Sequence, residues 1–139
     1  MFKKHSPHAA RLQAITRFSG LTDDQIQQIA DKSTYVQLPR DWSLMAESTP
    51  ADKAYIILSG TVSVRQHGEE IAQLGAGDVM GEVAIVAHSL RTASVVSLTE
   101  LEVLHFTSES LTDLAAEIPA FGAALRATTT ERLEHKSDG

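Results

Sequence analysis

Between about Thr34 and Phe106 the chain alternates in short runs broken by turn formers, and no long helical period interrupts them. "TYVQL" is one run, and "AYIILSGTVSV" is two, hinged at Ser59-Gly60. Val62 and Val64 there alternate with Thr61, Ser63 and Arg65, the two-residue period of a half-buried strand. "QHGEE" supplies a turn at Gly68 before "IAQL". "TASVVSL" and "LEVLHF" are separated by Thr99-Glu100, a two-residue hairpin spacing. Short, closely spaced strands without crossover helices predict an antiparallel sandwich or roll and not a parallel α/β sheet.

Helices flank this block. Ala9, Leu12 and Ile15 fall on one helical face, and Ser19-Gly20 ends the segment. In "TDDQIQQIA", Thr22 and Gln25 fit a capping box, Asp23 and Asp24 suit a helix N-terminus, and Ile26 and Ile29 form the buried stripe. After the strands, Ser108 can cap a helix carrying Leu111, Leu114 and Ala115. Pro119 stops it and can sit in the first turn of a last helix, roughly Ala120 to Glu134. Phe121, Leu125 and Leu133 are that helix's few apolar anchors, so it is expected to pack loosely, and "HKSDG" reads as a frayed tail.

The 139 residues are expected to form a single domain 1–139, with a β-roll over about 34–106 and helices over about 8–31 and 108–134. Twelve Lys and Arg against eighteen Asp and Glu leave a net charge of −6, which argues against holding duplex DNA by neutralising phosphates but leaves room for one small anionic ligand. No cysteine is present, so thiolate chemistry and disulfides are absent. "MFKKHSPHAARLQ" lacks the apolar run of a signal peptide, and apolar runs elsewhere are too short to span a bilayer; the expected location is cytoplasmic.

The alternation breaks at "GAGDVMGEVAIVAHSLR". Three glycines precede a short helix-compatible piece, Val83 to Ala87, so Gly81-Glu82 lies at the start of a helical turn. Backbone N–H groups there carry partial positive charge that suits an anionic oxygen. Arg91 follows Glu82 by nine residues, across a turn at His88-Ser89-Leu90. That spacing lets both side chains face one space, with phosphate between the Arg91 fork and the helix start and a sugar hydroxyl on the Glu82 carboxylate. A structural ion pair is the bland alternative, and it is poorly motivated because desolvation consumes most of the Coulombic gain.

"GEVAIVAHSLRTASV" resembles the phosphate-binding cassette of cyclic nucleotide-binding domains of the catabolite activator protein and protein kinase A regulatory subunit type. "FSGLTDDQIQQIA" resembles that family's first helical motif, "ADKAYIILSGTVSV" its central hairpin, and "AQLGAGDVMGE" its approach to the cassette; roughly Ala10 to Leu125 is covered. The resemblance implies a mainly β, α+β fold: an antiparallel, jelly-roll-like β-roll of about eight strands with N- and C-terminal helices. It also implies that Arg91 binds the cyclic phosphate, that Glu82 takes the ribose 2′-hydroxyl, and that backbone amides around Gly81, Val83, Ala84 and Ala93 complete the cradle. Thr92 suits cGMP, whose base its hydroxyl can reach, and leaves cAMP open. The last helix commonly swings over the base. Four positions depart from the family pattern: Asp41 and Ser48 replace residues of glycine-containing turns, Met80 replaces a frequent Phe, and Leu90 replaces a frequent Pro.

The function expected is a stand-alone receptor for cAMP or cGMP that performs no chemistry on it and signals through its C-terminal helix. No metal is expected, because His67, His88 and His105 lack the His-x-His and carboxylate pattern of a metal-binding jelly roll. Gly75, Gly77 and Gly81 are spaced one residue too widely for a dinucleotide loop, Ser59-Gly60 is a hairpin hinge without a partnered base, and Trp42 is assigned to packing. The competing readings are a ligand-free roll that acts as a protein interaction module, and the sensor fragment of a DNA-binding regulator. DNA and membrane binding by this chain are not expected; an unidentified protein partner and a homodimer stay open.

Overall fold

The computed structural model describes residues 8–46, 48, 53–81 and 93–125. Among them, α1 (Ala9–Gln13), a 3-10 turn (Thr16–Phe18) and α2 (Asp23–Asp31) precede eight strands. These are β1 (Thr34–Leu38), β2 (Ser43–Met45), β3 (Lys53–Ser59), β4 (Val62–Gln66), β5 (Glu69–Leu74), β6 (Val79–Met80), β7 (Ser94–Ser97) and β8 (Leu101–Thr107). Helix α3 (Ser108–Glu117) and a helical segment over 119–125, α4, follow. The strands make two antiparallel four-stranded sheets, ordered β1-β8-β3-β6 and β2-β7-β4-β5. This is the β-roll with flanking helices that the alternation and the resemblance imply.

The roll interior and the helical layer lie on opposite faces of the first sheet. In β3, Ala54, Ile56 and Leu58 join the helices in one apolar cluster, while Tyr55 and Ile57 join Leu44, Val62, Met80 and Val95 in a second. Strand β8 divides likewise, with Leu104 and Phe106 toward the helices and Leu101 and Val103 toward the roll interior. Both strands are therefore covered on two faces, which is why "AYIIL" is a continuous apolar run instead of an alternating one.

Thr99-Glu100 does not close a hairpin. Strand β7 lies in the second sheet and β8 in the first, so the two residues form a crossover. Ser59-Gly60 likewise carries the chain from β3 in the first sheet to β4 in the second, so the expected central hairpin is a hinge between sheets. The crossovers are packed against each other. Gly60 adopts φ +100°, and a Cβ there would stand 2.4 Å from the Glu100 carbonyl oxygen. Thr61 N–H donates to Thr99 Oγ1 at 3.1 Å, and Thr99 Oγ1 donates to the Glu100 carbonyl at 2.8 Å. A spacing that suits a two-residue hairpin also suits a corner, and the partners available to Leu101 decide between them: β8 finds β1 and β3.

The Thr22–Gln25 capping box is present in both directions, at 3.0 and 3.1 Å. The first helical stretch is interrupted, because Ile15 is extended (φ −80°, ψ 120°) between α1 and the 3-10 turn. The cap of α3 is Thr107 and not Ser108: Thr107 Oγ1 accepts from Ser110 N–H at 3.1 Å. The start of α4 is not loosely packed. Phe121 is fully buried, with ring centroids 5.8 Å from Phe18 and 6.4 Å from Phe106, and Leu125 is also buried. Its aromatic anchor, Phe121, lies between Phe18 of the 3-10 turn and Phe106 of β8, and Leu125 belongs to the same apolar cluster. Leu133 lies outside the described residues. Trp42 is not a packing residue; it is 50% exposed.

Both turn departures show the backbone that glycine would favour, Asp41 at φ 63° and Ser48 at φ 64°. Asp41 is held there by a clasp on Ser97: Asp41 N–H donates to the Ser97 carbonyl at 2.9 Å, Trp42 N–H donates to Ser97 Oγ at 2.7 Å, and Ser97 Oγ donates to the Pro39 carbonyl at 2.6 Å. Ser97 is fully buried, so these bonds satisfy its hydroxyl.

Candidate ligand site

Residues Gly75 to Asp78 form the turn that launches the approach to the cassette. Asp78 Oδ2 accepts from Gly75 N–H at 2.8 Å, and Asp78 N–H donates back to the Gly75 carbonyl at 3.0 Å. The turn is pinned to β3 by Gly77 N–H donating to the Ile57 carbonyl and Ile57 N–H to the Asp78 carbonyl, at 2.8 and 2.9 Å. Gly77 takes φ +92°. The pinning sets β6 beside β3, with Met80 opposite Tyr55 and Val79 opposite Ile56. Asp78 is a positioning residue that periodicity does not reveal; its signal is the turn-forming pattern "GAGD".

Of the expected site residues, Gly81 and Ala93 are described. Glu82, Val83, Ala84, Arg91 and Thr92 lie outside the described residues, as does His88. Gly81 takes φ +90°, a conformation open to glycine and strained for other residues, immediately after β6 at the edge of the first sheet. Ala93 stands immediately before β7, an interior strand of the second sheet, where Ser94 pairs with Arg65 of β4. The intervening chain thus joins the edge of one sheet to the middle of the other. The roll interior next to these two ends is apolar: Met80, Tyr55 and Val95 are buried, and Val64 and Leu74 are partly exposed against the same cluster.

Two carboxylates are electrostatically fixed elsewhere. Glu102 on β8 is held to about 2, well below the usual carboxylate range, by Arg11 of α1, then by the Tyr35 hydroxyl, with Ser59 adding a weaker bond. Tyr35 Oη donates to Glu102 at 2.7 Å and Ser59 Oγ at 3.2 Å. His8 stacks on Tyr35 at 3.9 Å. Glu70 on β5 is lowered by Ser63, which donates to it at 2.6 Å, and then by Gln73. His67 is exposed and His105 half-buried, its ring 5.4 Å from Tyr55. Among the described residues no group of three His, Cys, Asp or Glu side chains is arranged to hold a metal ion. A groove of about 510 Å³ lies on the helical side, between Arg11, Ile15 and Thr16 on one wall and Gly77 and Asp78 on the other. Leu58, which belongs to the helical-side cluster, also lines it.

No described helix is long and apolar enough to cross a membrane. The profile of the cyclic nucleotide-binding domain family matches residues 35–117. A CRP-like cAMP-activated global transcriptional regulator of Mycobacterium tuberculosis is 25% identical over 126 residues, covering 87% of this chain and 56% of the regulator. The cGMP-dependent protein kinase egl-4 of Caenorhabditis briggsae is 30% identical over 123 residues, covering 84% of this chain and 16% of the kinase. The chain thus spans little more than half of the first relative and a small part of the second. The crystal structure of a cyclic nucleotide-binding domain from Methylobacillus flagellatus superposes with a TM-score of 0.78 at 25% identity, over 94% of this chain and 78% of that one. With the family profile matched over residues 35–117 and a β-roll with flanking helices in the structure, this chain belongs to the cyclic nucleotide-binding domain family.

Proposed function

We propose that the chain is a non-catalytic cytoplasmic receptor, a single domain over residues 1–139, that binds cAMP or cGMP through Gly81, Glu82, Val83, Ala84, Arg91, Thr92 and Ala93. The observation that carries this reading is the family match over residues 35–117, which contains the whole stretch from Gly81 to Ala93. Arg91 holds the cyclic phosphate through charge-assisted hydrogen bonds, and Glu82 accepts the ribose hydroxyl. The base rests on the apolar wall formed by Val64, Leu74 and Val95. The names of the relatives supply both nucleotides, cAMP for the regulator and cGMP for the kinase, and Thr92 is compatible with either. The reading includes no metal and no DNA contact by this chain, and its output is ligand-linked movement of the C-terminal helical region.

Isothermal titration of cAMP and cGMP into wild type and Arg91→Ala tests it. Charge-assisted bonds to phosphate are worth about 1.5–3 kcal/mol each, so Arg91→Ala weakens binding at least about tenfold. Glu82→Ala costs less, because its partner is a neutral hydroxyl. Unchanged affinity in Arg91→Ala overturns the phosphate assignment. A thermal-shift screen with cAMP, cGMP, cyclic dinucleotides and divalent metals separates a receptor from a metal-dependent enzyme and from a ligand-free interaction module.

A further inference from the structure

The break in the first helical stretch leaves a groove beside it. Ile15 is extended between α1 and the 3-10 turn, so the chain opens out there instead of completing a helical face. Across from it stands the turn over residues 75–78. Gly77 comes close, since a Cβ on it would lie 3.5 Å from Ile15 Cγ2. Around that contact about 510 Å³ stays open, within the range of about 300–1,000 Å³ found for small-molecule sites. Ala14, Ile15, Leu58 and Ala76 give the groove an apolar lining, and Arg11, Thr16 and Asp78 are its polar side chains.

Both walls are held in place. Gly77 N–H donates to the Ile57 carbonyl at 2.8 Å, and Gly75 N–H donates to Asp78 Oδ2 at 2.8 Å. On the helix side the Arg11 guanidinium is bonded to Glu102, which also accepts from Tyr35 Oη at 2.7 Å and Ser59 Oγ at 3.2 Å. A groove built in advance costs little ordering when a ligand enters. Its charges are unequal: Glu102 opposes Arg11, and Asp78 adds a second carboxylate. An anion set against Arg11 would lie beside Glu102 and be repelled, whereas a cation offsets the excess. A carboxylate accepts several hydrogen bonds at once, so Asp78 can hold an ammonium group while Oδ2 keeps the Gly75 bond.

We infer that this groove is a binding site for a small molecule with an apolar body and a protonated amine, the body on Ile15 and Leu58 and the amine on Asp78. The inference does not rest on the nucleotide-binding reading, and a cyclic nucleotide, being an anion, has the wrong charge for the groove.

Amide chemical-shift titrations of the full chain test it with probes of one shape and different charge: 2-phenylethylamine, 2-phenylethanol and phenylacetate. The amine is expected to shift the amides of Ile15, Thr16, Gly77 and Asp78 saturably. It binds about threefold more tightly than the alcohol, a modest factor because water screens an ion pair at an open groove, and phenylacetate binds most weakly. Equal affinity for amine and alcohol, a preference for the carboxylate, or no saturable shift at these amides overturns the inference. Ala14→Trp, at an exposed position, places an indole across the groove and is expected to abolish the shifts; unchanged saturation in that variant overturns the site. Asp78→Asn keeps an acceptor for Gly75 N–H, removes the charge, and is expected to bring the amine to the alcohol's affinity. An amine preference that survives Asp78→Asn overturns the assignment of the amine to Asp78. If Asp78→Asn loses the turn, the wild-type probe series and Ala14→Trp still decide.

Discussion

The two faces of the first sheet are built differently. On the helical face, Phe18, Phe106 and Phe121 are buried with Leu104 and Leu114 in one cluster. On the roll face the cluster holds no phenylalanine, and Leu44, Met45, Tyr55, Met80 and Val103 fill it instead; each cluster has partly buried neighbours, Ala9, Ile15, Tyr35 and Ala124 on the helical face and Val36, Leu38, Val64 and Leu74 on the roll face. Three mutually near phenylalanine rings concentrate more buried apolar area per residue than the aliphatic residues of the roll face. The contrast assigns the larger share of the stability to the helical face of β3 and β8.

The largest effect that can break this contrast comes from paired truncations. Phe106→Ala is expected to cost about 3–5 kcal/mol, and Val64→Ala, on the roll side, about 1 kcal/mol. Both are read by urea denaturation at constant slope, and equal costs would erase the distinction. Gly60→Ala comes next, at about 2–3 kcal/mol, because the added Cβ meets the Glu100 carbonyl at the stacked crossovers and φ stays at +100°. A stability within 0.5 kcal/mol of wild type, roughly the range of an unconstrained surface position, would show that the corner is not closely packed.

The smaller effects sharpen the picture at the edges. Asp41→Gly relieves a left-handed residue at some cost in chain entropy and is expected to stabilise by about 0.5 kcal/mol. Calorimetry should show a small rise in Tm; a fall would mean that the Asp41 side chain has another role. Glu102 supplies a pH signature on the helical side. Its folded pKa is depressed from 4.5 to about 2, so its contribution is fully present above pH 4.5 and is lost as pH falls through about 2. Glu102→Gln is expected to flatten the stability profile in that window. The effect is small because the cluster is open to solvent, and an unchanged acid limb would detach Arg11 and Glu102 from the docking of α1.

Much of the architecture was legible in the residues. "TYVQL", "IAQL" and "LEVLHF" become strands near the expected bounds, since a period of two over a half-buried surface leaves a direct trace. The Thr22 cap was legible because both of its partners are local. Strands β2 and β6, three and two residues long, carry no readable period and came only with the family resemblance. The corner at Thr99-Glu100, the break at Ile15 and the burial of Phe121 depend on partners distant in the chain. Of the site, Gly81 showed as a glycine at a backbone turn, while the apolar wall of Val64, Leu74 and Val95 is assembled from three strands and leaves no local pattern.

The sequence by itself determined which segments alternate, where helices begin, and that one carboxylate and one guanidinium stand nine residues apart in a glycine-led break. These are consequences of local sterics, capping and side-chain period. The tertiary structure decided which sheet each strand joins, that β3 and β8 are covered on both faces, and that helices from the two ends of the chain share one cluster. Those outcomes follow from burying the most apolar area with every backbone group paired, a competition among distant segments that no local window contains.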